Sequence, residues 1–372
     1  MQSTHIVDNY NKYDWMDWLR GYAILMIIFY HWIDHLYKQT NIEIIDKLVD
    51  LIRTFSGNSI HLFFVLSGAG LAVSFFTKPV QWNKWFIKRM QKIIVPFWIA
   101  VIVTYAIINC CHYFIPSFIK DSFDIKVLIS YITLTRNFYE PGINFYPSLW
   151  FIPNIVGLYF VFPILITSFS KMNKVGFLFI TLCISYCSIL LFMLMGLSLS
   201  HQNSVFLFFV FEFTFGIYIG YRALFLPINE SIGKMILLLL LGFLFYSISY
   251  YLVMKTSWGG NFNKPFTSLG LFFITFPVFF WISSLFPMLF KYFKKISSAS
   301  YYMYLIHAPI VFYFLRPFKD RFPDNISIRL LLFIITYMVF CWIVYSVSIK
   351  AKYIVNKFVK KVTMSLDPTL SH

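Results

Sequence analysis

The chain is written in long apolar runs separated by short polar links. Ten runs, at about 15–37, 59–77, 93–115, 148–170, 175–197, 203–224, 234–254, 265–287, 299–317 and 328–350, reach or approach the roughly 20 residues that a helix needs to cross a bilayer. A chain in lipid must satisfy its backbone hydrogen bonds internally, so runs of this length predict helices rather than irregular segments. The pattern therefore predicts an all-α integral membrane protein, a bundle of about ten transmembrane helices. One transmembrane domain, 15–350, is preceded by a polar segment, 1–14, and followed by a basic tail, 351–372. The densest basic links, 78–92, 291–295 and 350–361, alternate onto one side, and this modest bias places both termini in the cytoplasm. The first run starts after Trp15 and is followed by no small-x-small cleavage site, so it is expected to be retained as a helix.

Two of the links are longer. Residues 38–58 space their apolar side chains at helical intervals, which predicts an amphipathic helix on the surface or packed over the bundle. Residues 116–147 mix aromatic and polar residues and end in the turn-rich stretch Tyr139-Glu-Pro-Gly-Ile-Asn-Phe-Tyr-Pro-Ser148, a candidate lid or acceptor site.

Composition agrees with the pattern: 59% of residues are hydrophobic, 22% aromatic and only 12% charged. The net charge of +16 would suit nucleic acid in a soluble protein. Here the cations sit in links between apolar runs, where they act as topology signals and contacts to anionic lipid, and nucleic-acid binding is excluded. The five cysteines lie inside apolar runs and none has metal-ligand spacing with a histidine.

The chemistry concentrates in the first run. Between Leu19 and His35 it carries Arg20, His31, Asp34 and His35. Ionisable groups at membrane depth are costly and usually face a protein interior or a watery cavity. Arg20 and His31 are eleven residues apart, so at about 100° per residue they share a helix face to within roughly 20° and lie about 16 Å apart along the axis. One face thus carries a permanent cation near one surface and an imidazole near the midplane. Asp34, at i+3 from His31, is placed to orient or charge-stabilise that imidazole. His35, about 40° round the helix, shares the cavity of His31 or snorkels outward. A metal site built from His31, Asp34 and His35 is not expected. The second run brings small residues, Ser67, Gly68 and Gly70, which permit close approach of a helix or of a ligand. The link after it carries Lys84, Lys88, Arg89 and Lys92, of which Arg89 and Lys92 share a helix face. Glu212, in the sixth run, needs a partner that Arg222 is too far along the helix to be.

These pieces, in this order, resemble the acyltransferase-3 family of integral membrane acyltransferases over nearly the whole chain. The resemblance rests on Arg20-x10-His31, Phe63-Phe64-Val-Leu-Ser67-Gly68, Arg89-x-x-Lys92, the stretch Ser148-Leu-Trp150 to Pro163, and Ser300 to Pro309 with His307 inside it. Lys92 stands where the family has a second Arg, which keeps the charge and loses bidentate phosphate recognition. The fourth run lacks the paired acidic residues of the larger branch, so the chain looks more like the short branch that acetylates surface sugars.

The resemblance implies an enzyme with no bound cofactor, an acyl-CoA donor, most often acetyl-CoA, and a hydroxyl acceptor on a cell-surface polysaccharide, a lipopolysaccharide or a lipid-linked precursor. It implies a place in the cytoplasmic membrane. Arg20, Arg89 and Lys92 would hold the donor's phosphates at the cytoplasmic mouth, with Ser67, Gly68, Trp150 and His35 as further donor- or substrate-binding candidates. His31 would act as general base or accept the acyl group transiently, supported by Asp34. A rival reading is a transporter or flippase of a glycan precursor in which Arg, His and Asp couple protons. A third is a membrane sensor or scaffold, which needs no poised histidine.

Overall fold

The computed structural model describes residues 13–40, 42–115, 122–138, 145–196, 203, 205–225, 231–255 and 259–366. The polar segment up to residue 12, the turn residues 139–144 and the end of the basic tail lie outside the described residues.

Among the described residues the chain is helical, with no strand. The helices are α1 (Asp14–Leu36), α2 (Glu43–Gly57), α3 (Ile60–Thr77), α4 (Trp82–Phe114), α5 (Ile125–Ile132), α6 (Phe151–Lys171), α7 (Lys174–Leu194), α8 (Val210–Phe225) and α9 (Ile232–Lys255). A single turn, α10 (Gly259–Phe262), leads into α11 (Lys264–Leu285), α12 (Pro287–Pro309) and α13 (Ile326–Leu366). Past Pro309 the chain continues as a π-helix, Ile310–Leu315.

Among the described residues eight segments are long and apolar enough to cross a membrane: Glu43–Thr77, which joins α2 to α3, then Trp82–Phe114, Ser148–Lys171, Lys174–Leu194, Phe206–Phe225, Ile232–Lys255, Lys264–Ser283 and Ile326–Val359. The first and ninth runs also form helices, α1 and α12, of 23 residues each. Charged residues interrupt both, Asp14, Asp17, Arg20 and Asp34 in α1 and Lys291, Lys294 and Lys295 in α12.

The described chain forms two compact units. The first takes the chain up to Ile24 with Asn58–Val80 and Trp150–Ser298. Its centre is the α3–α8 pair. A Cβ on Gly68 would collide with the carbonyl oxygen of Phe213, and Cβ atoms on Gly216 and Gly220 would collide with those of Val65 and Ala69. The two backbones therefore touch, the packing that small residues allow between membrane helices. At Gly68 it is α8 that makes the close approach.

The second unit takes Leu25–Gly57, Gln81–Leu149 and the chain from Ala299. Here α1 runs alongside α12, His31 meeting His307 and His35 meeting Phe312. Helix α13 runs the opposite way, Trp32 meeting Phe340 and Tyr37 meeting Phe333. Helix α4 is parallel to α12, and the Tyr301 hydroxyl donates to the Ile93 carbonyl at 2.6 Å. The amphipathic helix expected in 38–58 forms as α2, which buries only Ser56 and leaves Ile44, Leu48, Leu51 and Ile52 exposed. Asp46 ties it back to α1, accepting from the Tyr37 hydroxyl at 2.7 Å. Where it is described, the long link, a candidate lid or acceptor site, buries Tyr131, Phe145 and Tyr146 fully.

Candidate active site

In the second unit the histidines of α1 and α12 come together. The His31 and His307 rings lie 5.2 Å apart between centroids. Phe312, on the π-helix, stands edge-on to His31 at 5.3 Å and to His35 at 4.4 Å. His307 is fully buried, and His31 is half-buried. The i−4 carbonyl of Met303 lies 3.1 Å from His307 Nδ1 and can only accept, so it assigns the proton to Nδ1. Nε2 of the neutral ring is then a lone-pair acceptor, and among the described residues neither it nor the buried His31 Nδ1 has a partner.

Two more polar atoms follow along the same contacts. The Tyr304 hydroxyl donates to the Ser148 carbonyl and its ring lies 5.9 Å from that of His307. Ser148 Oγ and the Tyr146 hydroxyl are buried with no partner. Buried polar atoms are nearly always paired, because leaving one unpaired costs about 1–3 kcal/mol. Two of these four atoms belong to the imidazoles themselves, and the other two are tied to them only through Tyr304.

Asp34 does not serve His31. Its carboxylate accepts from Arg53 of α2 at 2.9 Å and lies 3.6 Å from His35 Nε2. The i+3 spacing put Asp34 near His31, but Arg53 provides a full charge and draws the carboxylate toward the helix end. Asp34 thus anchors α2 to α1 and touches the cluster through His35.

In the first unit Arg20 is already engaged. Nη1 lies 3.2 Å from Asp17, one turn earlier, and Nη2 donates to the Leu66 carbonyl at 3.2 Å. A Cβ on Gly70 would lie 3.3 Å from Nη2, so this glycine leaves room for the guanidinium. Asp17 also accepts from Ser297 at 2.8 Å, and Asp14 accepts from Lys294 at 2.8 Å, which holds that ammonium above its usual pKa. The permanent cation expected on the first helix is therefore a paired one. Arg89 and Lys92 differ: among the described residues neither forms a hydrogen bond or ion pair. Lys92 is exposed and Arg89 half-buried, both at the start of α4. Trp150 packs on Phe64 and Phe209, at 6.5 and 5.7 Å.

The comparisons with known proteins decide the family. The family model described as an acyltransferase domain, of the acyltransferase-3 family, matches residues 13–347. The chain belongs to the acyltransferase-3 family. It is thus a multi-pass membrane acyltransferase. No curated protein matches the chain. No solved structure matches it either.

Two parts of this acyltransferase escape a reading by spacing. One is the meeting of His307 and Phe312 with His31, since helical periodicity gives faces and not neighbours. The other is the partner of Glu212. It is His61, whose Nδ1 lies 2.8 Å from Glu212 Oε1. Lys264 is buried nearby, its ammonium 5.6 Å from the Phe209 ring. The signal for this set was an ionisable residue inside each of two apolar runs, His61 and Glu212, and Lys264 at the edge of a third. No group of three or more His, Cys, Asp or Glu able to hold a metal occurs among the described residues.

Proposed function

We propose that this acyltransferase moves an acyl group, acetyl in the simplest case, from acyl-CoA to a hydroxyl of a cell-surface polysaccharide or its lipid-linked precursor. It works in the cytoplasmic membrane, with ten spans and both termini inside. The observation that carries the reading is the His31–His307 pair, two imidazoles in contact inside a buried corner lined by unpaired polar atoms.

The chemistry needs a base and a place for a proton. His31 takes the proton of the acceptor hydroxyl as the oxygen attacks the thioester carbonyl. The tetrahedral intermediate collapses, the carbon–sulfur bond breaks, and the CoA thiolate takes the proton back from His31. His307, an acceptor at Nε2, is placed to hold the incoming hydroxyl or to share the proton on His31. Arg89 and Lys92, cations without protein partners, would hold the donor's phosphates. Arg20, the third cation of the expected set, is paired with Asp17 in the first unit.

The test is transfer itself. Membranes holding the enzyme are given acetyl-CoA with label in the acetyl group, and surface glycan is recovered and counted. Label in the glycan that alkali releases is the expected result. Glycan that stays unlabelled, while its export falls in a deletion strain, would overturn the reading in favour of a transporter.

A further inference from the structure

A cavity of about 370 Å³ lies among α4, α12 and α13 in the second unit. Its walls are apolar almost throughout, Ile99, Ala100 and Val103 from α4, Leu305 from α12, and Val347 and Ala351 from α13, with Thr104 and Tyr302 the polar exceptions. A water occupies about 30 Å³ of liquid, so this is room for about a dozen groups of that size, in a space too apolar to hold water. The volume and lining suit a stretch of hydrocarbon chain.

One end of this cavity is cationic. Because α4 and α12 are parallel and α13 opposes them, the Pro96 end and the Val355 end coincide. Arg89 and Lys92 continue the cavity face of α4 beyond Pro96, to within roughly 60° on a helical projection. On α13, Lys350 and Lys352 flank Ala351, and Lys357 follows Val355. Lys350 and Lys357, seven residues apart, share one edge of the helix and are exposed. Long lysine side chains reach a membrane interface while their stems stay in hydrocarbon.

We propose that this cavity binds one acyl chain of an anionic phospholipid, with the lipid phosphate held by Lys350 and Lys357. The occupant is not the acyl donor. His307 is turned roughly 150° round α12 from the centre of the cavity wall, so a chain lodged here cannot present its carbonyl to the imidazoles. The site nevertheless bears on them. Ile310 and Phe314 of the π-helix line the cavity, and Phe312 of the same π-helix holds His31 and His35 on the other side. Irregular π-helical turns often sit at functional sites. A lipid chain filling the cavity would support the segment that positions Phe312. Binding stands independently of the proposed reaction, and only its effect on activity rests on that reading.

The experiment uses the full chain purified in detergent and dioleoyl phosphatidylglycerol as probe, with dioleoyl phosphatidylcholine and palmitoyl-CoA as comparisons. Native mass spectrometry should show retained phosphatidylglycerol in preference to phosphatidylcholine. A phosphatidylglycerol with a diazirine midway along one chain should crosslink within 99–108 and 347–355 of the unmodified protein. Ala100→Phe and Ala351→Phe, which fill the cavity, should each lower retention at least tenfold, as should Lys350→Gln with Lys357→Gln. Crosslinks spread evenly over the lipid-facing helices, or equal retention of the two phospholipids, would overturn the site. So would displacement of phosphatidylglycerol by palmitoyl-CoA at equal concentration, since the cavity would then serve the donor. The crosslinking arm needs no variant, so a misfolded substitution leaves the result decisive. Label transfer to glycan is measured separately, so its failure would count against the reaction and not against the lipid site.

Discussion

In the proposed reaction His31 and His307 divide the work by their surroundings. His307 has its proton assigned to Nδ1 by the Met303 carbonyl, while His31 has no such restraint at Nδ1. A carbonyl on Nδ1–H fixes the tautomer of His307 and does not weaken Nε2 as a base, so the proposed division rests on access, His31 being half-buried and His307 fully buried. His31→Ala is therefore expected to lower transfer by about a hundred- to ten-thousand-fold, the usual cost of losing a general base, with unchanged amounts of protein in the membrane. His307→Gln should cost less and should move the pH profile of the remaining activity, which a purely structural role would not do. Near-normal transfer by a folded His31→Ala protein would remove the base assignment. Glu212 belongs to stability instead. Buried with His61 and near Lys264, it cannot be removed without stranding one or both of them. Glu212→Ala should cost about 3 kcal/mol or more, seen as a lowered melting temperature in detergent, while Glu212→Gln, which keeps a hydrogen bond to His61, should cost less. Equal melting temperatures for the two variants would show that the carboxylate is not held by this bond.

Two glycines on α3 show how much of an element was legible. Ser67, Gly68 and Gly70 marked that helix as one needing close approach, but no spacing rule says whether a helix or a ligand approaches. The structure divides them. Gly68 meets the backbone of α8, which cannot yield, and Gly70 meets the end of the Arg20 side chain, which can. Gly68→Val should therefore cost about 3 kcal/mol and reduce accumulation, since overpacking against backbone forces the helices apart. Gly70→Ala should accumulate normally and lose activity only if the Arg20 guanidinium takes part in donor binding. A Gly68→Val protein as stable as the parent in thermal unfolding would show that the α3–α8 contact tolerates separation. Helix α2 was legible for a different reason: its amphipathic spacing is a property of one element alone. What joins elements was not legible. Arg53 lies nineteen residues beyond Asp34 and His307 lies in a helix near the other end of the chain, so neither contact leaves a local pattern. Asp17, one turn before Arg20, is the exception, since i,i+3 spacing alone brings the two side chains together.

At the scale of the molecule, the number of spans and the sidedness of the basic links are one question. Among the described residues eight segments meet the length and apolarity needed to cross, and α1 and α12 are further helices of spanning length. Both counts are even, so the position of the termini cannot separate them. The links can. If α1 and α12 cross, the basic links 78–92, 291–295 and 350–361 all face the cytoplasm. If they do not, α3 becomes the first crossing, and both 78–92 and 291–295 move outside while 350–361 stays inside. That arrangement would put Lys84, Lys88, Arg89 and Lys92 on the wrong side for the positive-inside bias. It would also part the unpaired cations of α4 from a cytoplasmic CoA donor. The charges of α1 offer no objection to crossing, since Asp14 pairs with Lys294, Asp17 with Arg20, and Asp34 with Arg53. Lys84→Cys and Lys357→Cys, each made in a chain whose five cysteines are replaced, should both resist a membrane-impermeant maleimide in intact cells and both react after permeabilisation. Reaction of the residue-84 cysteine in intact cells while the residue-357 cysteine stays protected would establish eight crossings and would leave Arg89 and Lys92 with no donor to hold.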